Sequence, residues 1–127
     1  MASKKRILVV DDEVDICWTL RHMLQTEGVE VLTATSGAEA LKLANDRPFH
    51  LVFLDVKLPD IDGLEVAQRI KAISPATKII IISAHYYSGD PKIQSKLKSG
   101  LISGFLSKPI HLSVVKRIVA ENAITEE

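Results

Sequence analysis

Five polar residues stand just after short apolar runs in this chain, and their types suit one kind of chemistry. Ile7–Val10 runs into Asp11 and Asp12, Leu51–Leu54 into Asp55, and Lys78–Ile82, with four consecutive isoleucines, into Ser83 and Ala84. Ile102–Leu106 is followed by Lys108 and Pro109. Acids brought close repel, so either one holds a proton or a cation sits among them. All-oxygen donors favour a hard ion such as Mg2+ (or Mn2+), and no thiolate or histidine joins the cluster to favour zinc. Lys108 offers a point charge for phosphate oxygens, and Ser83 a hydroxyl. Carboxylate, hard cation, hydroxyl and lysine together suit phosphoryl transfer to an aspartate. Each residue alone has a plainer role. An acid at a strand end is ordinarily a cap or a solvated turn, Asp12 and Glu13 favour a helix N-terminus, and Lys108 alone is a surface lysine. The plainer roles do not explain the whole set at four strand ends.

The elements that must position these residues alternate. Ile7–Val10, Val29–Ala34, Leu51–Leu54, Lys78–Ile82 and Ile102–Leu106 read as strands, the last interrupted by Gly104. Continuous apolar runs predict strands buried on both faces. Glu13–Thr26 reads as a helix with Ile16, Leu20, Met23 and Leu24 at helical spacing. Ser36-Gly-Ala-Glu39 is a capping box for the second helix. Asp62 caps a third, with Leu64, Val66, Ile70 and Ile73 inward. A fourth lies around Ile93–Ser99, with Gly100 at its C-terminal cap. Leu112–Asn122 is a fifth, with Leu112, Val115, Ile118 and Val119 inward. Five βα units argue for a parallel sheet with helices on both faces. Ligands of such sheets bind beyond the carboxyl ends of the strands.

The bulk properties narrow the classes. The 127 residues fit one domain, with a core over about residues 5–123, and 46% apolar residues suffice to build it. Sixteen basic and sixteen acidic residues balance, so charge gives no reason to expect direct nucleic-acid or membrane binding. The Lys4-Lys5-Arg6 run reads as a solvated lead-in. Cys17, the single cysteine, lies in an apolar helical pattern and reads as a small core hydrophobe. No apolar stretch approaches spanning length, so a cytoplasmic protein is expected.

The set Asp11-Asp12, Asp55, Ser83-Ala84 and Lys108-Pro109 resembles the receiver domain of bacterial two-component response regulators, the CheY-like superfamily. The likeness runs from ILVVDDE (Ile7–Glu13) through LDVKLPDIDGLE (Leu54–Glu65) and IIISA (Ile80–Ala84) to FLSKP (Phe105–Pro109). It implies a flavodoxin-like (βα)5 fold with strand order 2-1-3-4-5. It implies that Asp55 accepts a phosphoryl group from the phosphohistidine of a sensor histidine kinase or histidine phosphotransfer protein. Asp12, Asp55 and the Lys57 backbone carbonyl would ligate Mg2+, with Asp11 acting mainly through bound water. Ser83, the Ala84 amide and Lys108 would hold the phosphoryl oxygens, and the Lys108–Pro109 bond would be cis. Ser83 and Phe105 would form the switch. The face of the fourth helix, fifth strand and fifth helix would be the output surface and allows a phosphorylation-dependent homodimer. Such a domain is no enzyme in the usual sense, catalysing only its own phosphorylation and dephosphorylation.

Several positions depart from the family pattern. Phe105 stands where many members have tyrosine. Lys108 follows Ser83 by 25 positions, a longer interval than usual, and the excess falls in His85–Pro91, which includes Tyr86 and Tyr87. Lys57 places a charge two positions after Asp55, and Leu101–Ile102 replaces a more polar pair. A haloacid-dehalogenase-like phosphatase would need an acid at position 57. A flavodoxin-like cofactor binder would want a Ser-, Thr- and Gly-rich loop where Asp-Asp-Glu stands. A degenerate, scaffold-only receiver would lack one of the acids or the lysine. After Lys108 the chain has room for one helix only, so output is expected through protein contacts, either as a stand-alone receiver or as part of a longer regulator.

Overall fold

The computed structural model describes residues 5–84 and 89–122. The strands are β1 (Lys5–Val10), β2 (Val29–Ala34), β3 (Leu51–Asp55), β4 (Lys78–Ser83) and β5 (Gly104–Ser107). The helices are α1 (Val14–Leu24), α2 (Gly37–Asp46), α3 (Gly63–Ile73), α4 (Pro91–Ser99) and α5 (Leu112–Glu121). The sheet is parallel throughout, in the order β2-β1-β3-β4-β5. This is the expected flavodoxin-like architecture. β3 lies at its centre, with Leu54 beside Val10 and Asp55 beside Ile82. That register brings the carboxyl ends of β1, β3 and β4 to one edge.

The unbroken apolar runs follow from burial on both faces. Val52 and Leu54 pack towards α2, α3 and α4, while Leu51 and Phe53 pack towards α1 and α5. Each such fully buried side chain contributes about 1.5–3 kcal/mol, which fixes the strand ends rigidly. Cys17 is buried in α1, and its thiol donates to the Asp11 carbonyl at 3.3 Å. Burial, then the charge of Asp11, pushes that thiol up to about 11, so it is no nucleophile.

Several local expectations need correction. Leu112 and Ile73 are 44% and 41% exposed. The α5 stripe is centred on Val115 and Ile118, and that of α3 on Val66, Ala67 and Ile70. β5 begins at Gly104 rather than Ile102. Ile102 turns into the α4-side core, and a Cβ at Gly104 would come within 3.0 Å of Ile80 Cδ1, so the glycine lets β5 approach β4. The capping box closes differently too. Ser36 Oγ accepts the Glu39 N–H at 3.1 Å, but Glu39 Oε1 accepts from the Thr35 N–H at 2.9 Å, one residue further back. Asp62 Oδ1 caps α3 through the Leu64 N–H, and Gly100 ends α4 at φ +81°.

Arg6 is not a solvated lead-in. It is 7% exposed, its guanidinium lies 2.7 Å from Glu30 Oε1, and it sits 4.6 Å over the Phe49 ring. Next to it, the Arg6 N–H donates to His50 Nδ1 at 2.9 Å. Burial, then the charge of Lys5, holds the His50 imidazole below its ordinary 6.5. Below pH 6.5 the unfolded chain therefore binds more protons at this residue than the folded one, and stability falls as pH drops from there towards the folded value. The wild type should lose stability relative to His50→Gln over that window, as read by urea midpoints along a pH series.

Candidate functional site

The carboxyl ends of β1, β3, β4 and β5 meet around an open cavity of about 350 Å3 lined by Asp12, Glu13, Asp55, Lys57, Ala84 and Lys108. Asp11 is fully buried and Asp55 is 4% exposed, while Asp12 faces solvent. Asp11, Asp12 and Asp55 each offer a carboxylate oxygen within 4.8 Å of the other two. Lys108 Nζ reaches across the cluster to Asp55 Oδ2 (3.1 Å), Asp11 Oδ2 (3.0 Å) and Glu13 Oε1 (2.8 Å). One ammonium thus faces three carboxylates.

The strand ends account for this geometry. Asp55 is the last residue of β3 and cannot move without unseating the central strand. The Lys57 N–H donates to its Oδ1 at 3.0 Å, which orients the other oxygen towards Lys108. Asp11 Oδ1 accepts the Glu13 N–H at 2.9 Å, which orients Asp11 in the same way. The Lys108 N–H donates to the Ser83 carbonyl at 3.0 Å, tying the ends of β4 and β5 together. Ser83 itself is fully buried. Lys108–Pro109 is cis, as the resemblance implies.

The charges are not balanced. Burial raises the Asp11 carboxyl to about 6, against the pull of the Glu13 N–H and Lys108 and with a further push from Asp55. Burial also acts to lower the Lys108 ammonium, but Glu13, Asp11 and Asp55 together hold it above the ordinary lysine range. Asp11 Oδ2 is within ion-pair distance of Lys108, yet the angles there are not those of a hydrogen bond, so this buried oxygen has no hydrogen-bond donor among the described residues. Buried oxygens in this state are what a hard cation satisfies, and the donor set, all oxygen, fits one. The acidic cluster can therefore hold a metal ion.

Two contributors have no sequence signature. Glu13 appeared only as a helix-terminus acid, but its side chain is the shortest of the Lys108 contacts. Asp60, in the turn after β3, accepts the Gly37 and Ala38 N–H groups at 2.8 and 2.9 Å, capping α2 from 23 residues away. The Ala38 and Gly37 bonds hold its carboxyl below the usual range. A Cβ at Gly37 would come within 3.1 Å of Ile61 Cβ, so glycine admits this close contact. Phe105 lies apart from the acid cluster, half-buried on the α4 side. Lys57 is exposed. His85, Tyr86 and Tyr87, in the long interval after Ser83, lie outside the described residues.

Comparison with known proteins agrees with this geometry. The chain is 38% identical over 104 residues to the transcriptional regulatory protein ZraR of Escherichia coli O157:H7, covering 82% of this chain and 23% of that protein. It is 37% identical over 118 residues to the response regulator protein PilR of Pseudomonas aeruginosa, covering 93% of this chain and 26% of that protein. The chain thus spans about a quarter of the length of these relatives. A response regulator receiver domain protein (CheY-like) from Methanospirillum hungatei superposes with a TM-score of 0.84 at 26% identity, covering 95% of each chain. The family profile described as "Response regulator receiver domain" matches residues 7–120. With that match, the fold and the strand-end cluster all in agreement, the chain belongs to the receiver domains of two-component response regulators.

Proposed function

We propose that Asp55 is the phosphoacceptor of a two-component phosphorelay. The observation that carries the reading is Asp55 Oδ2, held at the end of the central strand, 3.1 Å from Lys108 Nζ and beside two further acids. In the transfer, an Asp55 oxygen attacks the phosphorus of a phosphohistidine, the P–N bond breaks and the imidazole leaves. Lys108 already faces the place where the phosphoryl oxygens arrive, so it stabilises charge there without reorganising. The buried Ser83 and the Ala84 amide stand at the same edge to hold further phosphoryl oxygens. Asp11, Asp12, Asp55 and the Lys57 carbonyl are the proposed holders of Mg2+, which when bound neutralises charge on the phosphoryl oxygens. The same residues serve hydrolysis, so the domain catalyses only the loading and unloading of its own aspartate.

The donor is a sensor histidine kinase or a histidine phosphotransfer protein, and a cytoplasmic location follows from such a partner. Loading biases a pre-existing equilibrium in which the Ser83 hydroxyl moves to the anion and Phe105 turns inward behind it. Phe105 gains no phenolic hydrogen bond there and acts by packing. The α4–β5–α5 face changes with it and is the output surface, open to a partner or to a second copy.

The test uses a small acyl phosphate and Mg2+, with intact mass as readout. One phosphoryl group should appear on the wild type and vanish in Asp55→Asn and without a divalent ion. Undiminished labelling of the mutant would show that another residue is the acceptor.

A further inference from the structure

The charges of this chain cancel in sum but not in place. β5 and β2 are opposite edges of the sheet. α4 packs on one face and α5 on the other, so the two helices flank the open edge of β5. Between Pro91 and Glu121 stand Lys92, Lys96, Lys98, Lys108, Lys116 and Arg117 against one acid, Glu121. Lys108 is engaged in the acid cluster, and Arg117 lies 4.0 Å from Glu121. Lys92, Lys96, Lys98 and Lys116 make no ion pair among the described residues. At the other edge, from Val14 to Asp46, Arg21 and Lys42 stand against five acids.

Helix stability explains only part of this. Lys96 and Lys98 suit the last turn of α4, where the helix dipole favours cations. Lys92 lies in the first turn, where the dipole opposes it, so the helix dipole does not account for its charge. A two-fold contact through this edge would set the patch against itself, because the same surface faces its own copy. Like charges so placed are disfavoured, and lysines beside an open strand edge guard against edge-to-edge pairing.

We infer that the α4–β5–α5 edge binds an acidic segment of a partner protein rather than a second copy of this chain. The inference rests on the reading of this face as the output surface and assigns the chemistry of what docks there. Pro91, Gln94, Ser95, Lys98 and Ser99 line an open groove of about 570 Å3 along α4, with Lys98 as its one charged side chain. An acidic segment gains from the lysines by steering and by direct pairing. Nucleic acid fits less well. The only arginine here sits beside Glu121, and the one Phe, Tyr or Trp of these elements, Phe105, is half-buried.

The experiment uses the full chain, unloaded and loaded by acyl phosphate, with three fluorescent probes. These are a Glu/Leu amphipathic peptide, its Lys/Leu counterpart, and a random-sequence duplex DNA. The acidic peptide should bind more tightly than either other probe, and Lys92→Glu/Lys98→Glu should weaken it by about tenfold or more with a reduced salt dependence. Lys92→Gln/Lys98→Gln should fall between. Neither substitution touches the acid cluster, so labelling of Asp55 should be unchanged. The loaded wild type should sediment as a monomer. Tighter binding of DNA, equal binding of both peptides, or a loaded dimer abolished by the Glu substitutions would each overturn the inference. Failure of labelling would instead count against Asp55 as the acceptor, since the peptide comparison is also made on unloaded protein.

Discussion

Lys108→Met is expected to reduce phosphoryl uptake from an acyl phosphate by about a hundredfold or more, the scale of losing one preorganised charge at a developing anion. The substitution keeps the length of the side chain and removes only the ammonium. Three carboxylates would then face one another with no cation, two of them buried. Removing one member of a buried charge cluster costs about 3–5 kcal/mol unless the remaining groups take up protons. Here they do, and stability becomes dependent on pH in a defined direction. Asp11 already titrates near 6, against 3.8 in the unfolded chain. Between these values the folded state binds more protons, so stability falls as pH rises through the window. Loss of Lys108 raises Asp11 further and extends the window upward. The deficit of Lys108→Met against wild type, measured by urea unfolding, should therefore grow from acid to neutral pH. A divalent ion binding only the folded site stabilises by RT ln(1 + [L]/Kd), so adding Mg2+ should recover part of the loss. A deficit that does not change with pH would mean that the contacts of Lys108 matter for packing and not for charge.

Gly63→Ala is the second large effect, and it acts through the backbone. Gly63 opens α3, and its N–H donates to the Val56 carbonyl at 2.8 Å. A Cβ placed there would lie 2.2 Å from the Asp55 carbonyl oxygen and 2.7 Å from Val56 Cα. Both neighbours are main chain in and just after the central strand, so neither can rotate away. Overpacking of this kind costs about 1–3 kcal/mol where side chains can yield, and more where they cannot. An expected loss of about 3 kcal/mol or more follows. Because the obstruction displaces Asp55, the proposed acceptor, phosphoryl uptake should fall even in the fraction that stays folded. Urea unfolding and intact-mass labelling on the same preparation check both parts. Gly100→Ala is the informative contrast. Its Cβ meets nothing within 4 Å, but its φ of +81° strains any side chain, so it should be destabilised modestly with labelling unaffected.

The architecture was legible in the sequence because each strand is buried on both faces, and double burial leaves a continuous apolar run with sharp ends. The polar residue after each run then marks the carboxyl edge. In this way Asp11, Asp12, Asp55, Ser83 and Lys108 were found without any knowledge of contacts. Less legible were the edges of elements. Leu112 and Ile73 fit the helical stripes but lie at helix ends, beyond where the sheet can cover them. Ile102 is apolar because it fills the core beside α4, not because it pairs in β5. Arg6 looked solvated because charge is read from type, whereas Glu30 and Phe49 decide its burial.

The sequence by itself determined the fold class, the sheet edge and the residue types of the cluster, since these follow from local periodicity and from where it stops. Only the tertiary structure decided which carboxylates share Lys108, that Glu13 is one of them, that Asp60 reaches back to cap α2, and that Gly63 must be bare against Asp55. Those are contacts between distant segments, set by register and helix placement, and such distances have no local pattern. The basic β5 edge belongs to both levels. Its lysines can be counted in the chain, but a balanced total hides them until the sheet order sets them opposite the acids of the β2 edge.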